Sequence, residues 1–162
     1  MLIDRISYEE TNAMQKEEQE NIETWVKTAT DFHGHLGPFL VVGVRMGLIG
    51  LRELHANRGD LTLHALATLE RAVPFSCTID GIQVITQCTV GNGRLQIENV
   101  KNKIAATFQL DKKKEATVTL KPAKFEELKN VLPKKAHSYK NVQLARKIAS
   151  LPEGELFFIM TK

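Results

Sequence analysis

Cysteine is scarce in this chain: only Cys77 and Cys88 occur among 162 residues. There is no CxxC pair and no HxxxH spacing, so zinc-finger and zinc-ribbon patterns are excluded. Excess charge is lacking too. A formal net charge of +3 is too small to argue for nucleic acid, and the lysines at 112–114 and 134–135 read as solvated loop charges. Residues 1–10 lack the apolar core and small-residue cleavage site of a signal peptide. The one membrane-like run, Leu36 to Leu51, is too short for a comfortable span and carries Arg45 with Gly37, Gly43, Gly47 and Gly50. It reads as a buried helix, not an anchor. The expectation is a cytoplasmic protein without membrane or nucleic-acid partners, whose two cysteines are thiols or metal ligands rather than a disulfide. No internal repeat, low-complexity segment or linker is visible, and the length suits a single domain over 1–162.

What is present is organised around residues 31–47, where His33 and His35 straddle a glycine and Gly37-Pro38 leads into an apolar run. Pro38 suits the first turn of a helix. Residues 1–16 read as an N-terminal arm. A helix is expected from about Glu17 to Asp31, with Ile22, Trp25, Val26, Ala29 and Phe32 on its inward face. A second helix, Pro38 to about Leu54, is apolar nearly all round. Gly43, Gly47 and Gly50 form a stripe along it, which costs up to ~1 kcal/mol per glycine relative to alanine and calls for close approach by another backbone. Leu61 to Leu69 alternates as a strand. Ser76 is placed to cap a helix that runs to about Cys88. The segments 95–100, 104–110 and 116–120 read as an antiparallel meander. Short helices at 122–132 and 138–150 and a last strand at 156–160 complete an α+β fold, an antiparallel sheet packed against helices.

The residues suited to chemistry fall in two clusters. His33 and His35 make the first. Cys77, Asp80, Gln83 and Cys88 make the second, in the order Cys77-Thr78-Ile79-Asp80-Gly81-Ile82-Gln83 and Thr86-Gln87-Cys88-Thr89. A cysteine in a helix's first turn is favoured as thiolate by the macrodipole. Eleven residues of straight helix would hold the two sulfurs ~16 Å apart, so Cys88 joins Cys77 only if the chain turns back. Two histidines and a thiolate fit a zinc-like site with a fourth position open. Each also has a plainer role, the histidines as turn residues and the cysteines as small core hydrophobes. Arg45, alone in an apolar helix, needs a partner: a salt bridge to Glu70 or Asp80, or an acidic substrate that it would orient with Gln83. Gly91-Asn92-Gly93 reads as a turn or as an anion-binding nest.

Two ordered motifs stand out. The first is Phe32-His33-Gly34-His35-Leu36-Gly37-Pro38 with Gly43-Val44-Arg45-Met46-Gly47; the second is Cys77 to Gln83 with Thr86 to Gly93. Together they resemble the two signatures of the FmdE family, named for its association with formylmethanofuran dehydrogenase, here from about Phe32 to Leu120. The resemblance implies an α+β core that dimerises. It also implies a pocket between the histidine loop and the cysteine helix, able to hold a divalent, zinc-like metal. No C-terminal ribbon is expected. Family members commonly carry a cysteine where this chain has Gly37, and losing a soft ligand weakens or redirects metal binding.

Three functions follow as expectations. The first is a metal-binding domain acting in one-carbon or molybdenum-enzyme-related metabolism, with His33, His35, Cys77 and Cys88 as ligands and Arg45, Asp80 and Gln83 facing a small acidic substrate. The second is a non-catalytic accessory or scaffold component of a partner enzyme, with a vestigial pocket. The third is a thiol redox protein using Cys77.

Overall fold

The computed structural model describes residues 21–162. The expected arm and the first residues of the expected helix lie outside them. Helix α1 occupies 21–33 and packs Ala29, with Trp25 and Val26, against Leu40, Val44, Val84 and Ile85. It runs two residues past Asp31, making His33 its last residue. Gly34 then takes a left-handed φ of +98°, closed to most side chains, and its N–H closes onto Thr30 O at 2.8 Å. Phe32 faces outward, 63% exposed, so that position does not belong to the inward face.

Helix α2 (Pro38–Leu54) is the centre of the fold, with thirteen of its seventeen residues buried. Strand β1 (Leu63–Leu69) follows, then helix α3 (Cys77–Thr86), strands β2 (Leu95–Asn99), β3 (Ile104–Leu110) and β4 (Lys114–Leu120), helices α4 (Pro122–Val131), α5 (Tyr139–Ser150) and α6 (Glu153–Leu156), and strand β5 (Phe157–Thr161). The strands form one sheet in the order β2-β1-β3-β4-β5. β1–β3, β3–β4 and β4–β5 are antiparallel, but β1 and β2 run parallel, Ala65 opposite Leu95 and Ala67 opposite Ile97. The expected meander is therefore corrected at its first strand. The α3 crossover returns the chain beside β1, which a parallel neighbour requires, and β2 does not pair with β3. Alternation alone cannot tell these pairings apart. The sheet's inner face carries small residues at Ala65, Ala67, Ala106 and Ala116 around Phe108, all buried.

The glycines decide how α2 is covered. A Cβ on Gly43 would fall on the carbonyl oxygen of Thr78, and one on Gly81 would fall on Leu40 O, so α2 and α3 cross backbone to backbone. Gly47 instead receives the Ile85 side chain (2.7 Å to its Cβ), and Gly50 receives the ring of Phe108. Only the first of these is an approach by another backbone. The cost of glycine in a helix is offset by contacts that no larger residue permits. Arg45, buried on α2, donates to Ile148 O at 2.9 Å and to Leu151 O. It closes the C-terminal carbonyls of α5, as a cation there does favourably.

Gly43→Ala tests this crossing. An exposed helix would gain up to ~1 kcal/mol from that change. Here overpacking reverses the sign, and urea unfolding should show a loss of roughly 3 kcal/mol. Gly154→Ala, with open space around it, should stay within about 0.5 kcal/mol.

Candidate metal centre

The crossing of α2 and α3 brings the two sequence clusters together. His33 closes α1, His35 sits in the loop before Gly37, the residue preceding α2 (φ −146°), and Cys77 is the first residue of α3. Among the described residues these three form a group whose ligand atoms all lie within 4.8 Å of one another. A tetrahedral ion with bonds of about 2.0–2.3 Å spaces its ligands at roughly 3.3–3.8 Å, so the group is within reach of one.

Asp80, one turn along α3 from Cys77, holds His33 by a 2.6 Å contact between Oδ2 and Nδ1. Its other oxygen accepts from Gln83 Nε2 at 3.2 Å, and Gln83 Oε1 accepts the Val90 N–H at 3.1 Å. In the neutral tautomer that donates to Asp80, the proton sits on Nδ1 and Nε2 carries the lone pair. That Nε2 is buried and has no hydrogen-bond partner among the described residues, an arrangement proteins avoid unless something else occupies the lone pair. A carboxylate behind a histidine is the usual support of a metal ligand.

His35 lies over His33 (ring centroids 4.6 Å) and beside His137 (5.0 Å). Burial and then its two histidine neighbours hold its pKa below the ordinary histidine value. A neutral imidazole is the form that binds a metal. The Cys77 thiol moves opposite to the expectation from the helix macrodipole. Burial pushes its pKa up, and the Asp80 carboxylate adds to the rise. The physical reason is local. The turn before α3 spends the N–H groups of Cys77, Thr78 and Ile79 on the carbonyls of Pro74, Phe75 and Ser76, and Ser76 makes no side-chain cap. The Cys77 N–H still favours the thiolate, but burial and the Asp80 carboxylate outweigh it.

The other expected residues separate. Cys88 is fully buried and donates its Sγ–H to Leu63 O at 3.2 Å. It is a core thiol outside the group, because α3 carries it to the far end and the chain does not fold back. Arg45 caps α5 and pairs with neither Glu70 nor Asp80. Asp80 contacts His33 and Gln83 contacts Asp80, and neither lines the cavity that His35 and Cys77 line. In the Gly91–Gly93 turn, Asn92 Oδ1 itself accepts the N–H groups of Thr89 (3.0 Å) and Arg94 (3.1 Å), so the nest is filled from within.

Two residues of the α4–α5 region arrive without a signal in the sequence. One is His137, whose ring meets that of His35 at a tilt of 58°. The other is Asn141, whose Nδ2 donates to Ala136 O at 2.6 Å and tethers the histidine loop through Leu36 O at 3.4 Å. Asn141 also stands where a side chain at position 37 would point: a Cβ on Gly37 would lie 3.2 Å from its Nδ2 and 3.8 Å from His35 Nε2. A cavity of about 310 Å³ opens beside His35 and Cys77.

A family model described as "FmdE, Molybdenum formylmethanofuran dehydrogenase operon" matches residues 32–158, a span that holds the whole group. A protein of Archaeoglobus fulgidus named "Probable S-adenosyl-L-methionine-binding protein" is 37% identical over 67 residues. The match covers 41% of this chain and 18% of that protein, so the chain spans less than a fifth of that relative's length.

The pH profile of Cys77 alkylation by iodoacetamide in metal-free protein tests the local electrostatics. The rate should still be climbing above pH ~8.5, where a free cysteine is half ionised. Asp80→Asn removes one of the two causes of the rise and should shift the profile to lower pH. An unchanged profile would contradict the role given to the carboxylate.

Proposed function

The chain belongs to the FmdE family, and on that premise we propose that it is a metal-binding domain of this type, holding a divalent ion with His33, His35 and Cys77. The observation that carries the reading is the buried, unpartnered His33 Nε2 with Asp80 fixed behind it. Two imidazoles and a thiolate suit zinc, and three protein ligands leave a position for water or a substrate. A bound ion of this kind supplies a Lewis acid that polarises a carbonyl or lowers the pKa of water. The chain's own contribution is positional. Asp80 keeps the His33 proton on Nδ1, Gln83 and Val90 keep Asp80 in place, and burial keeps His35 neutral. Cys77 would hold the ion as thiolate, its proton lost to solvent, since the ion would supply the positive charge that offsets burial and Asp80.

The family description supports a setting in one-carbon or molybdenum-enzyme-related metabolism. A cytoplasmic homodimer belongs to the same proposal. It draws on the family resemblance and on Phe158 and Met160, which the edge strand β5 leaves exposed. The S-adenosylmethionine named for the relative is not carried over, since the matched part is a small share of that protein. One observation favours a second reading, a non-catalytic accessory component of a partner enzyme. Gly37 contributes no ligand, and Asn141 already fills the space beside it. A thiol redox role is not favoured, because the raised Cys77 pKa opposes a reactive thiolate.

Zinc titration of untagged protein against a chromophoric chelator is the test. One ion per chain is expected, and Asp80→Asn should weaken binding about 10- to 100-fold. Cys77→Ser should weaken it more, and Cys88→Ser should leave it unchanged. Absence of stoichiometric metal, or an unaltered affinity in Cys77→Ser, would overturn the reading.

A further inference from the structure

The cavity beside the histidine–cysteine group has a chemistry of its own. Its walls are the start of α2 (Pro38, Phe39, Leu40), Val73-Pro74 from the turn before α3, and the connection between α4 and α5. That connection supplies Leu132, Pro133, Lys134 and Ala136, so most of the lining is apolar. The polar lining is His35, Cys77, Asn141 and Lys134, the last of them exposed. Among the described residues no carboxylate lines it, and Lys134 makes no ion pair with any of them. Lys134 is therefore the one Lys, Arg, Asp or Glu side chain in the described lining, and a positive wall of this kind concentrates anions. Asn141 adds an acceptor, because its side-chain bonds to Leu36 and Ala136 both come from Nδ2 and leave Oδ1 for a ligand.

Size narrows the class further. A volume of about 310 Å³ is at the small end for ligand sites. We propose that this cavity binds a small monoanion with an apolar body, its anionic group at Lys134 and its other end at His35 and Cys77. Arg45 and Gln83, which the sequence suggests for orienting an acidic substrate, do not line this cavity; Arg45 Nη1 meets backbone carbonyls of the α5 end, and the Gln83 amide meets Asp80 and Val90. Lys134, which reads in the sequence as one of a solvated pair, takes that role. The placement of the anionic end stands without a metal. Only the identification of the other end as the reacting end rests on the metal-site reading.

The experiment is titration of 15N-labelled full chain with sodium hexanoate, and with 1-hexanol as the uncharged control, on both metal-free and zinc-treated protein. Hexanoate should bind in the millimolar range or tighter and shift the amides of Leu132, Ala136 and Cys77. Hexanol should bind more weakly at the same place. Lys134→Ala, an exposed substitution, should weaken hexanoate roughly fivefold and leave hexanol unchanged. Absence of hexanoate shifts at these residues in either form would overturn the proposal. So would an unchanged preference for the anion in Lys134→Ala. Zinc failing to bind while hexanoate behaves as described would overturn the metal reading and leave the cavity assignment standing. Zinc binding without the hexanoate shifts would do the reverse.

Discussion

The contact on which everything else depends is the backbone crossing of α2 and α3 at Gly43 and Gly81. A side chain at either glycine would collide with the other helix's main chain. Because the helices meet without intervening side chains, the start of α3 is held against the loop that begins α2. Cys77 and Asp80 come from one side of that junction, and His33 and His35 come from the other. Dispersion over closely packed backbone is strong in sum and falls off steeply with a gap, so the crossing sets the distances at the site and supplies stability together. Gly43 and Gly81 are a structural requirement of the site, although they lie at the crossing and not among the ligands.

The second constraint is electrostatic. Asp80 serves His33 and burdens Cys77. It fixes the imidazole with its lone pair inward, and the same negative charge pushes the thiol toward its neutral form. In a protein without a cation the two effects conflict, since a carboxylate beside a buried thiolate is unfavourable. A divalent ion among His33, His35 and Cys77 resolves the conflict by favouring both the thiolate and the oriented imidazole.

Much of this is legible in the sequence, and what is not has physical causes. The Pro38 start, the buried α2 and the pairing of the histidine loop with Cys77 rest on local signals: a proline at a helix start, apolar residues all round, and two ordered motifs. The parallel placement of β2 does not, because alternation in 95–100 specifies a strand and a buried side but no neighbour. The Cys77 pKa departs from the sequence reading because burial of the thiol and then the Asp80 carboxylate, which only the folded chain sets around it, outweigh the favourable bond from its own backbone N–H. Arg45 reads as a substrate residue because sequence shows an isolated charge but not the carbonyls of α5 that meet it. His137 and Lys134 sit in a connection with no periodicity, and Asn141 just beyond it, so only the folded chain places them at the site.

The central claim is that two imidazoles and one thiolate share an ion. The most direct measurement is X-ray absorption at the zinc edge of the zinc-loaded protein. The account requires one sulfur at about 2.3 Å and two imidazole nitrogens at about 2.0–2.1 Å, with a light atom completing the shell and the sulfur lost in Cys77→Ser. A first shell of oxygen and nitrogen alone, or a sulfur that persists in Cys77→Ser and disappears in Cys88→Ser, would contradict it.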